Sequence, residues 1–177
     1  MKKTLLMIVV VAALMSVASG KAFAQYEKGD KLLNVGIGLG SYYGGGVAVG
    51  AAFEYGVTDF ISVGAQADFY TWGYNWGSGY KYRYTFLPIA ARGSYHFGKH
   101  FLQVEKLDLY AGASLGYYIS SYKADTPFGG SYSDSYGSKV LFGVFGGGRY
   151  YFKPNMAAFA EVGYNVTPLK VGITFKF

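Results

Sequence analysis

Leu107–Ile119 reads LDLYAGASLGYYI, and its alternation decides the architecture. Leu107, Leu109, Ala111, Ala113, Leu115, Tyr117 and Ile119 share one parity, and Asp108, Tyr110, Gly112, Ser114, Gly116 and Tyr118 share the other. Successive side chains of a strand point to opposite faces, so this stretch is a two-sided ribbon. The same rhythm extends outward from it. Phe60–Phe69, FISVGAQADF, sets Ile61, Val63, Ala65, Ala67 and Phe69 against Ser62, Gly64, Gln66 and Asp68. Gly45–Tyr55, Val140–Phe152, Met156–Tyr164 and Leu169–Phe177 follow suit.

Two further segments are less regular. Lys31–Gly40 alternates through Leu33, Val35, Ile37 and Leu39. Tyr82–Phe97 changes parity between Tyr82, Tyr84, Phe86 and Ile89, Ala91, Gly93, Tyr95, Phe97. The change falls at Leu87-Pro88, and since proline donates nothing to a ladder, a bulge is expected there. Eight strands result. Gly56–Asp59 and Lys153–Asn155 read as tight turns and His100–Lys106 as a medium one. Between them lie Ser41–Gly44, Gly73–Tyr80 and the longest, Ser121–Ser138, read as the outward set of loops, and the final connection, around Asn165–Pro168, is brief. The expectation is an all-β, eight-stranded antiparallel up-and-down transmembrane β-barrel, with both termini on the periplasmic side.

Alternation alone fits a soluble lipocalin-like barrel as well as a membrane barrel; the contents of the polar face separate them. A face in water carries charge at about a quarter to a third of its positions. Here each strand offers roughly one charge, and Gly, Ala and Ser fill the rest. A narrow interior of eight strands has room for little more than packed side chains. Its charges are opposite in sign: Glu54, Asp68 and Glu161 against Arg92, Arg149 and Lys170. Buried charges are tolerated when paired, so these six are expected to form a salt-bridge network inside the barrel. The apolar face then meets lipid. Tyr70, Trp72, Tyr82 and Tyr84 are expected to form an outer aromatic girdle. Tyr95, Phe97, Tyr150, Phe152, Phe175 and Phe177 are expected to form an inner one.

The first residues read as an address. Lys2 and Lys3 precede the apolar run Leu5–Met15, and Ala22-Phe23-Ala24 fits a cleavage site, so residues 1–24 are expected to be a signal peptide and 25–177 the barrel domain. The run is short of the roughly 18–20 residues of a spanning helix. The leader holds three of the 16 basic residues and none of the 10 acidic ones, leaving 13 against 10. So small an excess gives no footprint for nucleic-acid binding. Charged residues are 15% of the chain, low for a soluble domain. With no cysteine, neither a disulfide framework nor a lipid-modified N-terminal Cys is available.

The terminal segment LKVGITFKF, with Leu169, Val171, Ile173, Phe175 and Phe177 at alternate positions, resembles the C-terminal signal of bacterial outer-membrane barrels. LPIAARGSYHF, LDLYAGASLGYY and FGVFGGGRYYF with FAEVGYN resemble the small OmpA/OmpX-type outer-membrane β-barrel proteins. The resemblance covers essentially the whole chain after the leader. It implies an outer-membrane location, contact with membrane lipid and lipopolysaccharide, and recognition of the last strand by the barrel-assembly machinery.

Signals for chemistry are weak. His96 and His100 lie at the inner end of the fourth strand, away from where an outer-leaflet substrate would arrive. His96 shares the polar parity with Arg92 and reads as an interior residue. Asp125 and Asp134 match no calcium-loop spacing. Gly146-Gly147-Gly148 lies within a strand, lacks a following helix or Lys-Ser/Thr pair, and reads as relief of crowding. No cofactor and no metal are expected. The outer segments are rich in Tyr, Ser, Gly and Asp, which suits contact with a surface ligand, although a polar exposed loop whose only duty is solubility is the favoured reading of the loops themselves. Trp72, Tyr74, Trp76, Tyr122, Phe128, Tyr132 and Tyr136 are the candidate contacts. A structural or surface-interaction role through these loops, with a plugged interior, is the leading expectation; a narrow pore for small solutes is the alternative, and a soluble periplasmic lipocalin-like binder a more distant one.

Overall fold

A computed structural model describes residues 26–40, 46–76, 80–98, 106–125 and 139–177, with backbone alone at 74–76, 80–83 and 122–125. Its strands are β1 (Lys31–Leu39), β2 (Val47–Gly56), β3 (Ile61–Trp76), β4 (Tyr80–His96), β5 (Leu107–Asp125), β6 (Lys139–Lys153), β7 (Met156–Tyr164) and β8 (Leu169–Lys176). Each pairs antiparallel with its chain neighbour, and β8 returns to β1, closing the barrel. Closure removes every edge that a hydrocarbon solvent would leave unsatisfied.

The registers fix the barrel's size. A circuit starts at Asp30, bonded to Gly56, and steps through Ser62, Ser94, Gly112, Phe145 and Gly163 to Pro168. It meets β1 again one position beyond the Leu39–Leu169 pair, at Gly40, ten residues from its start (40 − 30). A shear of this size tilts strands by about 40° and leaves an interior that side chains fill. Glycines make that filling possible. A Cβ at Gly112 would sit 2.6 Å from the Phe145 ring, and one at Gly172 would sit 2.7 Å from the Phe159 ring.

Outward positions are apolar and exposed on β1 to β7, among them Val35, Val49, Phe53, Val63, Ile89, Leu115, Phe142 and Val162, and apolar and half-buried on β8. Inward positions hold Asn34, Glu54, Gln66, Asp68, Arg92, Ser94, Asp108, Arg149, Glu161, Lys170 and Thr174, all buried. This is a soluble protein turned inside out.

Three sequence expectations are corrected. No bulge occurs at Leu87-Pro88: β4 pairs with β5 in one register from Lys81–Asp125 to His96–Tyr110. Phe86, Pro88, Ala90, Arg92, Ser94 and His96 are all buried, so one parity runs inward throughout. The reason is an apolar cluster inside the outer half of the barrel, made of Ala48, Tyr70, Phe86, Ala90, Tyr118, Leu141 and Val166 with Tyr84 packed against it. Apolar side chains there fill the lumen and do not mark the lipid face. The same cluster overturns the outer girdle. Tyr70 stacks on Phe86 at 4.8 Å, and Trp72, half-buried, lies 5.6 Å from Tyr84. Among the described residues, the exposed aromatics of the outer half are Phe69, Tyr117 and Phe142, with Tyr164 at the end of β7. The Tyr82 side chain lies outside the described residues.

Third, β3–β5 run longer than the alternation suggested. Trp76 pairs with Tyr80, Tyr74 with Tyr82 and Lys81 with Asp125, so Gly73–Tyr80 and the start of Ser121–Ser138 are strand. Beyond the bilayer neither face need be apolar, while Tyr, Trp and Thr still favour extended backbone. One irregularity was not anticipated: the β6–β7 register shifts between Tyr151 and Lys153, beside the tight turn.

Candidate functional site

All eight strands converge on the barrel axis, β8 through Thr174 Oγ1, which donates to Asn34 Oδ1 at 2.7 Å. β2 supplies Glu54, whose carboxylate accepts from Ser62 Oγ and Ser94 Oγ at 2.8 Å each, from Asn34 Nδ2 at 2.8 Å, and from Arg149 Nη2. β6 supplies Arg149, wholly buried. Its Nη1 donates to Asp108 at 3.0 Å and its Nε to Asn34 at 3.3 Å, and its guanidinium lies 4.0 Å from the Tyr110 ring centroid. β4 supplies Arg92, which donates to Glu161 at 2.7 Å, stands 3.7 Å from Glu54 and lies over Phe145 at 4.2 Å. Tyr110 donates to the same Glu161 oxygen at 2.9 Å.

Of the six charges singled out in the sequence, Glu54, Arg92, Arg149 and Glu161 belong to this network. Asp68 and Lys170 form a separate ion pair nearer the outer end, and Asp68 accepts no further hydrogen bond among the described residues. Asp108, Tyr110 and Asn34 were missed as members, although all three stand on the inward parity, which was the available signal.

At the inner mouth, His96 Nδ1 lies 2.9 Å from Asp108 and its Nε2 lies 3.0 Å from Ser62 Oγ. The order Ser–His–Asp is that of a hydrolytic triad. The surroundings are not. Ser62 is fully buried and also bonds Glu54, and Tyr26 stacks on the imidazole at 3.6 Å with the rings 5° from parallel. Tyr26 precedes β1, so no strand parity pointed to it. Its hydroxyl donates towards Thr58 O at 2.9 Å and Ile61 O at 2.5 Å. Burial, helped by Asp30, Glu54 and Asp108, raises its phenol pKa well above the ordinary range, so it stays a neutral donor.

The outer end is occupied from within by the β7–β8 connection. Asn165 Oδ1 accepts from Gln66 Nε2 at 3.0 Å and from Ser114 Oγ at 3.1 Å, while Val166 joins the apolar cluster and Thr167 is buried against Gly38. A cleft lined by Phe145, Glu161, Asn165, Thr167 and Lys170 has room for about one water.

Leu169, Val171, Ile173 and Phe175 alternate along the closing strand β8, between β1 and β7, and the Phe177 amide donates to Lys31 O at 2.9 Å. Of the candidate loop contacts, Trp72 is a half-buried strand residue, and Tyr74, Trp76 and Tyr122 lie on strands whose side chains there are not described. Phe128, Tyr132, Tyr136 and His100 lie outside the described residues. No cluster of metal-ligating groups occurs among those described.

Solved structures give this architecture its context. Ail, the attachment invasion locus protein of Yersinia pestis, solved with the heparin analogue sucrose octasulfate, is 16% identical with a TM-score of 0.57, over 85% of this chain and 99% of that one. OprG of Pseudomonas aeruginosa is 13% identical with a TM-score of 0.58, over 88% and 99%. The N-terminal barrel domain of Pseudomonas aeruginosa OprF is 18% identical with a TM-score of 0.50, over 85% and 98%. The fold is that of the small outer-membrane barrels. No family model and no curated protein sequence matches the chain.

Proposed function

We propose that the chain is an integral outer-membrane protein whose barrel is closed to solutes and whose role lies at its outer surface. One observation carries this reading: rows of exposed Val, Ile, Leu and Phe surround an interior of buried, paired charges. Water outside such a surface would be costly, whereas lipid suits it. Residues 1–24 then serve as the export signal. Leu169, Val171, Ile173, Phe175 and Phe177 present the terminal strand to the assembly machinery, and lipid with lipopolysaccharide surrounds the finished barrel.

Closure is supported from both mouths: Tyr26 covers the inner one, and Asn165, Val166 and Thr167 occupy the outer one. With Ser62, Ser94, Tyr110, Glu54, Asp108 and Glu161 engaged in holding charges, the interior reads as a framework and the reading is non-enzymatic. The outer ends of β3–β5 and their loops remain as the surface for a ligand.

The test is fractionation followed by gel mobility with and without boiling, then planar-bilayer recording of the folded protein. An outer-membrane, heat-modifiable species without conductance steps is expected. Recovery from the soluble periplasm would sink the membrane reading, and stable open steps would sink the closed interior.

A further inference from the structure

The charges inside the barrel balance only when a histidine is one of them. Among the described residues, the buried acids are Glu54, Asp68, Asp108 and Glu161, and the buried Arg and Lys are Arg92, Arg149 and Lys170. Asp68 and Lys170 cancel within their own pair, as Asp30 and Lys176 do at the inner mouth, 2.8 Å apart. The main network is left with three carboxylates and two guanidinium groups. A buried charge without a partner is costly, so one more cation is needed there. His96, 2% exposed, is the remaining basic side chain buried in the interior.

The hydrogen-bond donors lead to the same residue. Asp108 meets the Arg149 guanidinium at 3.0 Å and is therefore a carboxylate, which can only accept. His96 Nδ1, 2.9 Å from Asp108, must donate to it. Glu54 is held by Arg149, with Arg92 at 3.7 Å, and it too can only accept. Ser62 Oγ has one hydrogen and lies 2.8 Å from Glu54 Oε2 and 3.0 Å from His96 Nε2. The Glu54 carboxylate takes that hydrogen, so Nε2 must donate to the Ser62 oxygen. An imidazole that donates from both nitrogens is a cation. Its neighbours suit one. The face of Tyr26, where ring charge is negative, covers it at 3.6 Å, and Tyr110 lies tilted at 5.6 Å. Around the ring stand Tyr26 ahead of β1, Glu54 on β2, Asp108 and Tyr110 on β5 and Arg149 on β6, with Tyr151 and the Asp30–Lys176 pair at the mouth.

We infer that His96 is a proton-binding site, a buried imidazolium whose second proton ties Asp108 to Ser62 and seats Tyr26 over the inner mouth. Losing that proton leaves the network one negative charge in excess. It also sets a bare ring nitrogen against an oxygen lone pair, at Asp108 or at Ser62. Stability supplied by a proton bound in the folded network is present at low pH and lost as pH rises. The inner mouth is thus fastened in acid and loosened in alkali.

The test reads the ring directly. Nitrogen-15 NMR of the folded, histidine-labelled chain in micelles at pH 7.5 separates ring nitrogens that carry hydrogen from those that do not. His100→Gln tells the two histidines apart. Both nitrogens of His96 should carry hydrogen at a pH where an ordinary imidazole is mostly neutral. A bare nitrogen on His96 overturns the inference. Urea unfolding gives a second reading. One proton changes the folded-to-unfolded ratio tenfold per pH unit, so the wild-type ratio should fall by about tenfold between pH 7 and pH 8.5. His96→Gln, neutral at both values, should show no such fall. An equal fall in His96→Gln, or none in wild type, overturns the role of the proton in fastening the mouth.

Discussion

Replacing Arg149 by Met removes the cation shared by Glu54 and Asp108. Three hydrogen bonds are lost, to Glu54, to Asp108 at 3.0 Å and to Asn34 at 3.3 Å. Breaking a buried pair costs about 3–5 kcal/mol when the partner is left uncompensated. Here compensation is partial. Glu54 keeps its donors Asn34, Ser62 and Ser94 and has Arg92 at 3.7 Å, and Asp108 keeps His96. Methionine also retains a favourable contact with the Tyr110 ring. The low end follows, about 3 kcal/mol. The assay is urea unfolding in vesicles, read as loss of the folded gel band. Adding Glu54→Gln to Arg149→Met should cost less than the two single effects added together, because removing both charges leaves less charge stranded. Arg149→Lys, which keeps the charge but not the fork, should fall between wild type and Met. A loss below about 1 kcal/mol for Arg149→Met would show a hydrated interior and refute the argument.

The inner mouth and the lipid face offer further checks. Tyr26→Phe should cost about 1 kcal/mol in the same titration, since the donor to Thr58 O and Ile61 O is lost while the stack on His96 stays. Tyr26→Ala should cost more, because the stack on His96 is lost together with the donor. Leu115→Arg, at an outward position 61% exposed, should destabilise by about 2–4 kcal/mol in vesicles. An effect within about 0.5 kcal/mol, as for a surface site in water, would contradict lipid contact there. Gly112→Val should yield no folded band, because even its Cβ would lie 2.3 Å from the Gly93 carbonyl oxygen.

Strand number, order and closure were legible because period-two alternation survives wherever one face meets lipid. Interior charges were legible by parity and sign: Glu54, Arg92, Arg149 and Glu161 come from four strands, yet they were the only kind of residue that a packed lumen has to pair. Parity could not say which charges meet. Lys170 was grouped with the rest, but the barrel's tilt places it and Asp68 toward the other end. The misreading of β4 has one physical source. Alternation reports that two faces differ; where the lumen itself is apolar, around Tyr70, Phe86 and Tyr118, the contrast fades and a parity slip is inferred that the backbone does not contain. Tyr26 and Val166 were invisible for another reason. Both lie outside the ladder, so their burial depends on where the closed barrel's mouths fall and not on any local pattern.

The interior divides along its axis, with the main charge network toward the inner end and the apolar cluster, beside the Asp68–Lys170 pair, toward the outer end. Charges such as Glu54 and Arg149 hold strands together only while water is kept from them, because a high dielectric would reduce each pair to little net stabilisation. The apolar cluster and Val166 exclude water from above, and Tyr26 excludes it from below. On the proposed reading, the stability of the barrel and its closure to solutes are therefore the same property. An opening wide enough for a solute would hydrate Arg149, Glu54 and Asp108 and weaken the cross-barrel ties. On that reading, ligands are met on the outside, where β3, β4 and β5 extend beyond the Leu87–Ile119 pair.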